Sequence, residues 1–150
     1  MSVHRRRRVF AALISNGGIY TTGVIGRLSA DVAMRVGLPE GVREVSASVT
    51  DGIHLSLSRG FAGDAKFASM HLASVIAEPS HYCPLNKAKR RFALAGLVED
   101  ERALHVALKW VPAESAQTGL DEIWVVTAHP LGRNTWQRYC RNGRLRALAV

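Results

Sequence analysis

The sequence predicts an α+β domain: N-terminal helices, a hairpin, then a helix packed on an antiparallel meander sheet. Two stretches, 104–111 and 122–129, alternate apolar and polar residues over full strand lengths. A third strand pattern covers 91–98, and a helix-spaced apolar run at 64–77 is closed by Glu78-Pro79. Helices first and strands later are the order of an α+β fold, because a helix with a broad apolar side needs a sheet face to cover.

The elements follow in order. Residues 5–15 read as a short helix stopped by Asn16-Gly17. A second helix is expected over 21–36, with Val24, Leu28, Val32 and Val36 on one side and a stop at Gly37 and Pro39. Gly23 and Gly26 each cost that helix about 1 kcal/mol relative to Ala. A hairpin follows, in which Val45, Ala47 and Val49 face Ile53, Leu55 and Leu57 across Thr50-Asp51-Gly52. A three-residue loop is the register that keeps one apolar face together, and Gly52 supplies its positive φ. Asp64 can cap the helix ending near Ala77, which carries Phe67, Met70, Leu72, Val75 and Ile76.

Residues 80–88 read as a loop holding His81, Tyr82, Cys83 and Pro84. The three meander strands come next, joined by Glu99-Asp100-Glu101 and by a polar loop over 112–121. Their expected buried face is Phe92, Leu94, Leu104, Val106, Leu108, Trp110, Trp124 and Val126. The opposite face collects His105, Lys109, Thr127 and His129 and is expected to look toward solvent or substrate. Residues 134–149 read as a basic helix broken near Asn142-Gly143. The whole is one domain, with a helical region at 1–42, an α+β core at 43–130 and a basic segment at 131–150.

The net charge of +8 favours a polyanionic partner. Its distribution sharpens this, because acidic residues are absent from 1–30, 79–98 and 123–150. Those zones hold the Arg5 to Arg8 run, the cluster Lys87, Lys89, Arg90 and Arg91, and Arg133, Arg138, Arg141, Arg144 and Arg146. No apolar run approaches the roughly 20 residues of a membrane-spanning helix. The basic opening resembles a targeting segment, but its apolar stretch is six residues long and lacks a small-residue cleavage site, so a cytoplasmic protein is expected, or one delivered into a target cell's cytoplasm. Cys83 and Cys140 form no metal-ligand spacing, and no cofactor or metal motif is present, so none is expected.

Leu72-Ala73-Ser74-Val75-Ile76-Ala77-Glu78-Pro79, Leu104-His105-Val106-Ala107-Leu108-Lys109 and Ile123-Trp124-Val125-Val126-Thr127-Ala128-His129, taken with the order of elements, resemble the barnase, EndoU, colicin and RelE type of ribonuclease, in particular its phage-encoded and toxin members. The resemblance spans roughly 45–130. It implies cleavage of RNA, often a transfer RNA, by attack of the ribose 2′-hydroxyl on its own phosphate, beside a neutralising antitoxin or immunity protein. Lys109 then matches the penultimate-strand cation and Thr127 the hydroxyl near the end of the last strand. The chain departs from the pattern in lacking an Arg or Glu pair between them and in carrying His54 within a strand.

The chemistry points to the same residues. Transphosphorylation needs a base, an acid and a cation for the phosphorane charge. His54 and His129 are the candidate base and acid in either order, Lys109 or Arg91 the clamp, and Thr127 a donor to phosphate oxygen. Arg91, His105, Arg133, Trp136 and Arg138 are the candidate RNA contacts, with Trp136 stacking on a base. Two other classes stay open. A winged helix over 5–58 would turn Thr21, Thr22, Arg27 and Arg35 toward DNA, and a basic interaction or structural protein would do no chemistry.

Overall fold

The computed structural model describes residues 22–48, 54–55, 62–99 and 102–148. The expected helix over 5–15 lies outside them. The elements are β1 (Thr22–Arg27), α1 (Ala30–Val36), β2 (Glu44–Ser48), β3 (His54–Leu55), α2 (Ala62–Ala77), β4 (His81–Asn86), β5 (Arg91–Glu99), β6 (Arg102–Val111), β7 (Glu122–Leu131), α3 (Arg133–Arg141) and β8 (Arg146–Ala147). The fold is thus mixed α and β, dominated by strands.

One mixed sheet holds all eight strands in the order β1-β2-β7-β6-β5-β4-β8, with β3 also paired to β7. The meander β4 to β7 is antiparallel throughout. Helix α2 lies on one face of it. Its Phe67, Leu72, Val75 and Ile76 pack with Phe92, Leu94, Leu104, Val106 and Leu108 in the main core. Helix α1, capped by Ser29 Oγ accepting from the Val32 amide and ended by Gly37 in the left-handed region, adds Val32, Ala33 and Val36 to that core.

Three expectations change here. The helix expected over 21–36 splits: its first half is strand β1 and only 30–36 is helical. The β-branched Thr22, Val24 and Ile25 suit a strand, and Gly26 stands where a Cβ would come within 3.2 Å of Ile76 Cγ2 on α2. The expected hairpin is not formed by the described residues, since β2 and β3 both run parallel to β7, Val45 beside Ile123 and His54 beside Thr127, and its turn at 50–52 lies outside them. Two segments parallel to one strand run the same way, so a local turn signal yields to pairing with a strand some 80 residues on. Finally, the loop expected at 80–88 contains β4, in which Pro84 falls within an irregularity of the pairing between Cys83 and Asn86.

The basic last segment is a cover for the sheet. Helix α3 places Trp136, Tyr139 and Cys140 at one-turn spacing, and they pack with Leu145 over Ala95, Ala103 and Leu131, on the face opposite α2. The chain then ends its described course as β8, paired with β4, in place of further helix. Among the described residues no helix is long and apolar enough to cross a membrane.

Candidate nucleic-acid interface and active site

Strands β6 and β7 pair directly, and the register decides what faces what. His105 stands opposite His129, Ala107 opposite Thr127, Lys109 opposite Trp124, and Trp110 opposite Ile123. Opposed residues of an antiparallel pair share a face. Lys109, Thr127 and His129 therefore occupy one side of the sheet, the side away from α2.

Between Ala107 and Leu108 the partner jumps from Thr127 to Val125. Val126 is the extra residue of a β-bulge, and the bulge reverses the alternation N-terminal to it. This corrects the expected core. Ile123 and Val125 are buried in it, while Trp124 is turned to the Lys109 side and is partly exposed. Trp110 keeps its expected place against the main core, with a buried indole Nε1 that has no hydrogen-bond partner.

Strand β5 extends each row. Arg91 pairs with Lys109, Ala93 with Ala107, and Ala95 with His105; Cys83 and His81 of β4 continue the last two rows. Rows on one face repeat roughly every 7 Å along a strand. Across the face runs a cationic and aromatic row (Trp124, Lys109, Arg91), then a row with a small floor (Thr127, Ala107, Ala93), then a histidine row (His129, His105, Ala95, His81). Thr127 is one row from Lys109 and His129 two, about 13 Å along the strand. The backbone of His54 is beside Thr127 in the parallel ladder.

The two ends of this face differ in cover. Arg91 and Lys109 are exposed, and neither side chain has an ion-pair partner among the described residues. In the histidine row His105 and His81 meet Tyr139 and Trp136 of α3, while His129 is half-buried. His105 is only 6% exposed, its ring is 5.0 Å from that of His129 and 6.2 Å from that of Tyr139, and its Nδ1 has no hydrogen-bond partner. Burial first, then the charges of His129 and Arg144, push its pKa down to about 4. Such a ring is neutral at physiological pH and lies beneath α3. His105 is therefore no exposed RNA contact, contrary to expectation, because the helix after β7 folds back over it.

Trp136 meets the ring of His81 edge-on at 4.7 Å and packs in the small cluster under α3, and like Trp124 it stays partly exposed. Burial lowers the pKa of His81, whose Nδ1 is 2.9 Å from Ser80 Oγ. Arg133 and Arg138 are exposed on α3, and Arg144 lies 4.2 Å over the Tyr139 ring. The winged-helix layout is not formed by the described residues, since Thr22 and Arg27 bound a strand and the expected hairpin is not formed among them.

Sequence reasoning missed Trp124 as a surface residue and missed the alanine floor. Only the bulge places Trp124, and no local pattern announces a bulge. Among the described residues no three His, Cys, Asp or Glu side chains are grouped to hold a metal, and both cysteines are free thiols. Comparison of the chain with known families, with curated proteins and with solved structures found no match.

Proposed function

We propose that the protein is a metal-independent endoribonuclease of toxin-like or phage-associated kind, cutting RNA through the ribose 2′-hydroxyl. The observation that carries this is the sharing of one sheet face by Lys109, Arg91, Thr127 and His129. A phosphate beside half-buried Ala107 would have two cations on one side and a histidine on the other.

In this reading Lys109 and Arg91 hold the phosphate and stabilise the charge that develops on it. Thr127, one row away, donates to a phosphate oxygen. His129 and His54 serve as acid and base, since imidazole can do either near neutral pH. His105 takes no proton in the reaction; it lies beside His129 on the neighbouring strand. Exposed Arg133 and Arg138 extend the basic surface along α3, where a transfer RNA or an acidic neutralising protein would find complementary charge.

A second reading, an RNA-binding protein without chemistry, is favoured by the two-row separation of Lys109 and His129. Binding and cutting assays separate the two. Affinity for RNA should fall steeply with salt, because each phosphate contact releases a counterion. Arg91→Ala should reduce the slope of log affinity against log salt by about one, as measured by fluorescence anisotropy from 50 to 300 mM salt. An unchanged slope would remove Arg91 from the interface, and binding without any cleavage across a broad RNA panel would leave the second reading standing.

A further inference from the structure

We infer that Trp124 is a stacking platform for one base of a single-stranded RNA whose backbone crosses Lys109 and Arg91. The inference rests on the RNA reading above and names the form of substrate that this face takes. It begins from the bulge, which turns an aromatic side chain out of the core and sets it opposite Lys109, itself opposite Arg91. Neighbouring strands are about 4.8 Å apart, so ring and two cations fall within roughly 10 Å across the sheet. Aromatic surface beside unpaired cations is the chemistry by which single strands are held, base on ring and phosphate on cation.

The ring is also held in place. Trp124 Nε1 donates to Glu122 Oε1 at 2.9 Å, and the Thr118 hydroxyl donates to Glu122 Oε2 at 2.8 Å. The indole N–H is satisfied within the protein, which leaves the aromatic ring as the group to offer a ligand. A side chain already fixed loses little freedom when a base settles on it. A duplex keeps its bases stacked inside and offers none to an outside ring, so the same row selects a single strand or a loop.

The test uses the full chain and three labelled probes: a short 2′-O-methyl oligouridylate, which cannot be cut through its 2′-oxygen, the same backbone without bases, and an RNA duplex. The unaltered protein should prefer the oligouridylate. Trp124→Ala should weaken that binding about tenfold and leave the abasic chain unchanged, whereas Lys109→Ala should weaken both. Trp124→Phe, which keeps a ring and guards against misfolding, should retain most of the affinity. Equal weakening of both chains by Trp124→Ala, no weakening, or a preference for the duplex would overturn the stacking role while the RNA reading survives. Failure of the unaltered protein to bind any of the three would instead overturn the RNA reading itself.

Discussion

Acidification from pH 7 to pH 4 should destabilise the fold by roughly 3 kcal/mol through His105 alone. Its folded pKa is depressed to about 4 by burial under α3 and by the neighbouring His129 and Arg144 charges. In the unfolded chain the same ring titrates near 6.5. Above pH 6.5 both states are neutral and the group has no effect on stability. As pH falls from 6.5 toward 4 the unfolded chain gains a proton that the folded chain refuses, so stability is lost across that window and the loss levels off below it. His105→Leu removes the titration and keeps an apolar side chain under the helix. Urea unfolding at pH 7 and pH 4 should therefore show a smaller acid loss in the variant, and an equal loss in both proteins would refute the assignment.

Under the proposed function the second large effect is on RNA cleavage. Lys109→Ala should lower the rate of RNA cleavage by at least about 10²-fold, as expected for removal of a charge that stabilises the transition state. His129→Ala should cost a similar factor as loss of the acid or base, with RNA binding little changed. Lys109 is exposed and outside both apolar clusters, so its removal should leave the unfolding midpoint almost unmoved. Single-turnover rates at saturating protein separate the two effects from affinity. A rate within threefold of the unaltered protein in both variants would show that the shared face is not where cutting occurs.

The strands at 91–99, 102–111 and 122–131 and the helix at 62–77 were legible because each is marked within its own residues, by alternation over most of each strand and by an apolar run closed by Glu78-Pro79 in the helix. So was the sharing of a face by Lys109, Thr127 and His129, although for an incomplete reason. Plain alternation would put Thr127 with Ile123 and Val125, and would put Trp124 on the other side. The bulge at Val126 keeps Thr127 and His129 with Lys109 and brings Trp124 to join them. Non-local pairing accounts for the other misses. Thr50-Asp51-Gly52 is a strong local turn signal, but the described strands on either side of it run parallel to β7, a partner that no window of sequence contains. Val24, Leu28, Val32 and Val36 have helical spacing by coincidence, since β1 and α1 each bury part of the set. The stripe Trp136, Tyr139, Cys140 was present in the sequence, yet the positive charge of the segment pointed to RNA contact and not to a cover for the sheet. In the fold that segment screens His105, and removing it would uncover Ala95 and Ala103 as well.

Under the proposed function this face cuts RNA by 2′-hydroxyl attack, with fixed protein cations taking the place of a metal. The most direct measurement is the chemistry of the new ends made from a panel of structured RNAs, transfer RNAs included, in excess EDTA. Fragments should end in a 2′,3′-cyclic phosphate, and a single 2′-deoxy substitution at the cut site should abolish cleavage there. Intact RNA throughout, or cleavage that persists at the deoxy position, would contradict the proposal.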